Sequence, residues 1–205
     1  MESWSGLYAS RNEARKRYRS IWDVPLVKKE TDRLYADIKD GMTVLEVGAG
    51  DRRFEAKIKS KRPGVVYRGM DIDRRTRQDY YSLDEITESF DFVFLFEVIE
   101  HLTPEDGLAL LRKIHSLLKP GGSVLVGTPN LYHPHRYFGD VTHKTPYKYE
   151  ELGGLMLTAG FHDLAFFRQY NEPFLKKTFR LSIGILLHKF LDIDFAVTIL
   201  AEGTK

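Results

Sequence analysis

The stretch VLEVGAGD, residues 44–51, decides how this chain of 205 residues is read. Thr43 to Val47 is short, β-branched and apolar, the composition of a buried strand. It runs into Gly48-Ala49-Gly50, where two residues without a Cβ let the backbone turn sharply or lie close to a ligand. Residues 54–61 read as the following helix, whose unpaired N-terminal N–H groups face the same turn. A bare Gly-x-Gly is equally the signature of a tight strand-to-helix turn. A dinucleotide turn would carry a third glycine where this chain has Arg53. Asp71 adds to the signal, because it closes the next strand about twenty residues on, where a carboxylate meets ribose hydroxyls. Asp73 competes for that role.

Working outward, residues 65–70, 79–83, 90–96, 123–128, 161–168 and 196–200 read as further strands. Residues 104–118 and 149–159 read as helices, with a Lys119-Pro120-Gly121-Gly122 turn between the first helix and its strand. Upstream, residues 12–19 and 28–38 read as helices, and Trp22, Val24, Pro25 and Leu26 interrupt them. The alternation predicts an α/β fold, a mostly parallel sheet with helices on both faces. In such a sheet the ligand crevice lies beyond the carboxyl ends of the strands. The polar residues Glu46, Asp71, Glu97, Glu100, His101, Thr128 and Asn130 all fall there.

The composition is that of a globular chain, 42% hydrophobic and 29% charged. The length predicts one domain. Zero cysteine excludes disulfide scaffolds, thiolate metal sites and cysteine nucleophiles. Thirty-one basic against 29 acidic residues leave a net charge of +2, so nucleic acid is disfavoured as a partner. The first twenty residues have no apolar core, and no run reaches the ~18 apolar residues of a spanning helix. The expected location is the cytoplasm.

Four ordered segments carry a resemblance: VLEVGAGD (44–51), YRGMDID (67–73), SFDFVFLFEVIEHL (89–102) and LLKPGGSVLVGTPN (117–130). Their order is similar to that of the motifs of class I S-adenosylmethionine-dependent methyltransferases, over roughly residues 44–161. The resemblance implies a Rossmann-like seven-stranded sheet with a reversed last strand formed by residues 195–204. It implies that Glu46, Gly48, Ala49 and Gly50 hold the methionine end of the cofactor, that Asp71 binds the ribose and that Ile72 packs on the adenine. Leu83 and Asp84 stand where the family places residues near the adenine amine. Arg52 stands where many relatives have a small residue, and the short stretch between Asp71 and Phe90 implies a helix reduced to a loop.

Glu97, Glu100 and His101 follow the fourth strand of that scheme, where such enzymes bring the acceptor to the methyl group. Two carboxylates and an imidazole suit Mg²⁺ or Mn²⁺. Similar E-x-x-E-H segments occur in coenzyme-Q-type O-methyltransferases and in small-RNA 2′-O-methyltransferases, and THKTPYKYEEL resembles the region that supplies a further histidine, here His143. The candidate metal set is therefore Glu97, Glu100, His101 and His143. The candidate catalytic set is Glu97, His101 and His143, with a histidine as base. His133 and His135 flank Pro134 and read equally well as turn residues.

No Asn/Asp-Pro-Pro-aromatic segment follows residues 90–96, which disfavours exocyclic amine methylation, and the lack of cysteine removes attack at a pyrimidine carbon. The expectation is a methyltransferase acting on an oxygen of a small molecule or glycan. The alternatives are a metal-dependent RNA 2′-O-methyltransferase and a non-catalytic cofactor-binding subunit. Three segments remain to choose the acceptor: residues 1–40, the loop 131–150 and an inserted amphipathic helix over 172–192. The basic and apolar residues of 174–191 suit a cap over the pocket, a homodimer contact or a membrane surface.

Overall fold

A computed structural model of the protein describes residues 4–170 and 174–205. In chain order the elements are α1 (Trp4–Lys16), β1 (Leu26–Val27), α2 (Glu30–Asp37), β2 (Thr43–Val47), α3 (Arg53–Lys61), β3 (Val66–Met70), β4 (Phe90–Phe96), α4 (Pro104–Leu117), β5 (Leu118–Pro129), α5 (Tyr149–Thr158), β6 (His162–Gln169), α6 (Phe174–Leu191) and β7 (Thr198–Thr204). The strands form one sheet in the order β1-β6-β7-β5-β4-β2-β3. β7 runs antiparallel to both its neighbours, and every other pair is parallel. The expected α/β sheet with a reversed last strand is therefore present.

β4 is apolar on both sides because both faces of the sheet are covered. Phe92 and Phe94 pack with Leu34, Ile38, Val44, Phe54 and Ile58 on the α2–α3 side. Val93 and Leu95 pack with Leu111, Ile114 and Leu152 on the α4–α5 side. Val47 lies level with Leu95 and with Met70, so β2, β3 and β4 end together at one rim.

The seventh strand is not where the sequence placed it. Residues 79–83 form a single bridge, Tyr80 to Met70, followed by a one-turn helix at Leu83–Glu85. The register explains it: Tyr80 lies beside Met70, the last residue of β3, so residues 81–83 have no strand to pair with, and on the other side of the bridge the Asp79 carboxylate takes the Gly69 N–H at 2.8 Å. The seventh strand is instead Leu26–Val27, beside Arg168 and Gln169 at the opposite edge. Two residues are too few to show a period of two. The segment Lys119–Gly122 belongs to β5 as an irregularity, with the pairing to β4 shifted between Phe90 and Phe92.

One buried polar cluster joins the ends of β5, β6 and β7. The Asp194 carboxylate takes the Arg168 guanidinium at 2.9 Å and the Asn130 amide at 2.9 Å. Arg168 also donates to the Val24 and Trp22 carbonyls, and Asn130 donates to Ala196. The charges are buried but well partnered, so removing one member leaves another uncompensated. Asp194→Ala is expected to lower unfolding stability by roughly 3–5 kcal/mol, and Arg168→Met with Asp194→Leu by clearly less. Urea denaturation of the three proteins checks this.

Candidate active site

The turn after β2 is built by backbone. Gly48 and Ala49 both donate to the Met70 carbonyl, at 2.8 and 3.0 Å. Gly48 has φ +77°, and a Cβ there would lie 2.4 Å from Val98 Cγ2. Gly50 has φ +49°, and nothing stands within 4 Å of where its Cβ would be, so its backbone borders open space. Its N–H donates to Asp71 Oδ2 at 2.9 Å, while the Asp73 N–H donates to Asp71 Oδ1 at 2.8 Å. Each oxygen of the aimed carboxylate still has a lone pair to offer. Ile72, next to it, is 82% exposed, an uncovered apolar side chain at the strand ends. Asp73 is committed to Arg75, which holds its carboxyl down at about 2.

Arg52, the non-glycine residue in the turn, has φ +57° and donates to Glu55 and Asp79. It braces α3 against the loop after β3. Glu46 lies beneath the turn, buried, with its carboxylate accepting the Tyr67 hydroxyl. Burial raises its pKa to about 7 against the pull of that hydrogen bond. Leu83 is half-buried against the core, and the exposed Asp84 pairs with Lys113 of α4 at 2.9 Å.

Beyond β4 the chain turns through Glu97, whose φ of +56° is in the left-handed region that non-glycine residues avoid. Its carboxylate lies 3.6 Å from Arg136 Nη2 and accepts Thr198 Oγ1 at 3.5 Å. Burial raises its pKa. A one-turn helix, Ile99–His101, then carries Glu100 and His101. Glu100 is fully buried; Oε2 accepts Thr128 Oγ1 at 3.1 Å, and Oε1 has no hydrogen-bond partner. Burial pushes this carboxyl up to about 8, and the Glu97 charge adds to the effect.

The loop after β5 is fastened to that helix. Lys144 and Thr145 donate their N–H groups to the Glu100 carbonyl at 2.8 and 3.0 Å. This sets His143 beside Glu100, with Nε2 4.0 Å from Oε1 and 3.9 Å from Asp140 Oδ2. His143 Nδ1 is 2.7 Å from the Tyr137 carbonyl, which only accepts, so Nδ1 carries the hydrogen and Nε2 the lone pair. His101 Nδ1 faces the Thr142 carbonyl at 3.3 Å and Thr142 Oγ1 at 3.0 Å. Thr142 Oγ1 gives its own hydrogen to Asp140, so His101 also donates from Nδ1.

Ligand atoms of Glu100, His101 and His143 lie within 4.8 Å of one another. Glu97 is outside that group and faces Arg136 and Thr198 instead, across a crevice of about 150 Å³ that Arg53 and Phe54 also line. His133 and His135 form a turn, in which His133 Nδ1 accepts the His135 N–H at 3.2 Å. Tyr67, Arg136, Tyr137 and Thr142 were not foreseen. Tyr137 acts through its carbonyl and Thr142 through both carbonyl and hydroxyl, contacts that no sequence pattern marks.

The profile of the methyltransferase domain family matches residues 15–165. The chain belongs to that family. A ubiquinone biosynthesis O-methyltransferase of Ruegeria pomeroyi is 44% identical over 63 residues, 30% of this chain and 24% of that protein. The match thus spans about a quarter of that relative's length. A crystal structure of a SAM dependent methyltransferase from Archaeoglobus fulgidus superposes with a TM-score of 0.68 at 19% identity, covering 99% of this chain and 100% of that one. Phosphoethanolamine N-methyltransferase 2 of Haemonchus contortus, solved in complex with S-adenosyl-L-methionine, gives 0.55 at 17%, over 84% of this chain and 50% of that one. These two solved structures speak for the fold, which is that of the class I S-adenosylmethionine-dependent methyltransferases.

In this methyltransferase domain two substitutions test the turn. Gly48→Ala should destabilise by about 1–3 kcal/mol, from overpacking on Val98 and the positive φ together; chemical denaturation measures it. Glu46 is protonated in the folded chain up to about pH 7, and ionised in the unfolded chain above about 4.5. Its contribution to stability is therefore lost as pH rises between those values. Relative to Glu46→Gln, which still accepts from Tyr67, the wild type should lose on the order of 1–3 kcal/mol from pH 5 to pH 8. Equal curves for the two proteins would refute the shift.

Proposed function

We propose that the protein transfers a methyl group from S-adenosylmethionine to an oxygen of a small molecule or glycan. The observation that carries this reading is the bare Gly50 backbone on open space beside the aimed Asp71 carboxylate and the uncovered Ile72. These residues fit the cofactor. Asp71 accepts from the two ribose hydroxyls, Ile72 offers an apolar face to the adenine, with Leu83 and Asp84 further along that side, and the Gly48-Ala49-Gly50 turn holds the methionine end. Glu46, buried and accepting the Tyr67 hydroxyl, stands with the turn at that end.

The bound cofactor supplies an electrophilic methyl on a sulfonium, and what the protein adds is position and a proton acceptor. Glu97, held in a strained backbone at the end of β4, lines a crevice with Arg136 and Thr198. His143 takes the proton that the acceptor hydroxyl releases, at Nε2, because its Nδ1–H is committed to Tyr137. His101, whose ring centroid is 4.9 Å from that of His143, flanks the same point.

Calorimetry with S-adenosylmethionine tests the first half: binding is expected, and Asp71→Ala should weaken it about 10–100-fold. Release of S-adenosylhomocysteine with phenolic and sugar hydroxyl acceptors, against amine and RNA controls, tests the second. Undiminished binding by Asp71→Ala, or turnover only with the controls, would sink the reading.

A second reading gives the same cluster a divalent cation, Mg²⁺ or Mn²⁺, on Glu100, His101 and His143. The observation that favours it is the buried Glu100 Oε1 without a partner, facing His143 Nε2. A ligand histidine commonly donates its other N–H to a carbonyl, as His143 does. Mn²⁺ titrated into metal-free protein should then bind at one site, and His143→Ala and Glu100→Gln should each weaken it about 10-fold or more. With no bound Mn²⁺ by calorimetry or electron paramagnetic resonance, this reading fails and His143 keeps the role of base.

A further inference from the structure

α6 is joined to the rest of the protein along one side. Gly184 is buried against Trp22, where an added Cβ would lie 2.9 Å from the indole, and His188 packs on the same ring at 5.2 Å between centroids. The opposite side has no cover among the described residues. Phe179, Ile183, Leu186 and Phe190 recur at helical spacing and are all exposed, Phe179 at 66% and Phe190 at 74%. They make an apolar stripe about 16 Å long. Phe138, in the loop that carries His143, is 75% exposed, and it lines a crevice of about 290 Å³ together with Leu191 at the end of α6. Isolated exposed apolar residues are ordinary, but a contiguous stripe of this kind marks a contact surface.

Charge decides the occupant. The sequence of α6, FLKKTFRLSIGILLHKFL, holds Lys176, Lys177, Arg180 and Lys189 and no acidic residue. Asp192 follows its last residue and lines that crevice. A second copy seated on the stripe would set two basic helices against each other with no carboxylate on either. An anionic lipid surface satisfies both features, taking the apolar side chains into the acyl boundary and the basic ones among its headgroups. Among the described residues no helix is long and apolar enough to cross a membrane. We propose that α6 and Phe138 form an interfacial membrane-binding face for anionic bilayers, with the crevice between them opening at the lipid surface.

Sedimentation of the full chain with vesicles of equal parts phosphatidylcholine and phosphatidylglycerol tests this. The protein should pellet with them, and about 10-fold or more weakly with phosphatidylcholine alone or in about 0.5 M salt. Phe179→Glu combined with Phe190→Glu should abolish pelleting while leaving circular dichroism and thermal melting unchanged. As an independent readout, Phe190→Trp should show a blue-shifted emission on the mixed vesicles and quenching by brominated acyl chains. The proposal is overturned if the wild type does not pellet at millimolar lipid, if neutral and anionic vesicles bind alike, if the new indole is not quenched, or if ultracentrifugation finds a dimer that the double variant dissociates.

Discussion

The contact between Gly48 and Val98 fixes the spacing on which the candidate site depends. No Cβ fits at Gly48, so the turn after β2 presses directly on the side chain that follows Glu97. β2 and β4 are parallel neighbours whose ends are level, Val47 beside Leu95. One van der Waals contact thus sets the distance between the glycine turn and the segment that carries Glu97, Glu100 and His101. The left-handed backbone of Glu97 belongs to the same constraint, because the chain must leave β4 sharply to bring Val98 over the glycine. Strain at such a place persists only where the surroundings over-determine it, and here a hydrogen bond from the Glu97 N–H to Gly127 adds to the packing.

Among the buried charged groups two kinds contrast. Asp194 and Arg168 satisfy each other and the surrounding carbonyls, and they join segments far apart in the chain. Glu46 and Glu100 have no cationic partner in hydrogen-bond contact, and burial moves both toward neutrality. The first kind holds a scaffold together. The second kind, close to open space, is where chemistry or a ligand is expected.

Much of this was legible in the sequence, for definable reasons. β4 was readable because both its faces are buried, so its residues form one apolar run. The glycine turn and Asp71 were readable because both roles require particular residue types at a set spacing. The E-x-x-E-H cluster was recognisable, but its division was not: Glu97, in a left-handed backbone, lies beside Arg136 and outside the tight group of Glu100, His101 and His143. The strand expected at residues 79–83 failed because its register sets Tyr80 beside Met70, where β3 ends, so the residues after it have no ladder to join. β1 was invisible because two residues carry no period, and its pairing rests on β6, more than a hundred residues away.

The same Asp79 has a consequence for how the molecule meets its own copies. A sheet with free edges is a template for strand addition, and this one has two. At one edge the outer strand, Leu26–Val27, covers only Arg168 and Gln169 at the end of β6. At the other, the outward Gly69 N–H is already taken by a carboxylate, and the Gly69 carbonyl receives the N–H groups of Asp79 and Tyr80. At this edge a charged side chain occupies the ladder position at Gly69, the kind of block that disfavours edge-to-edge strand addition.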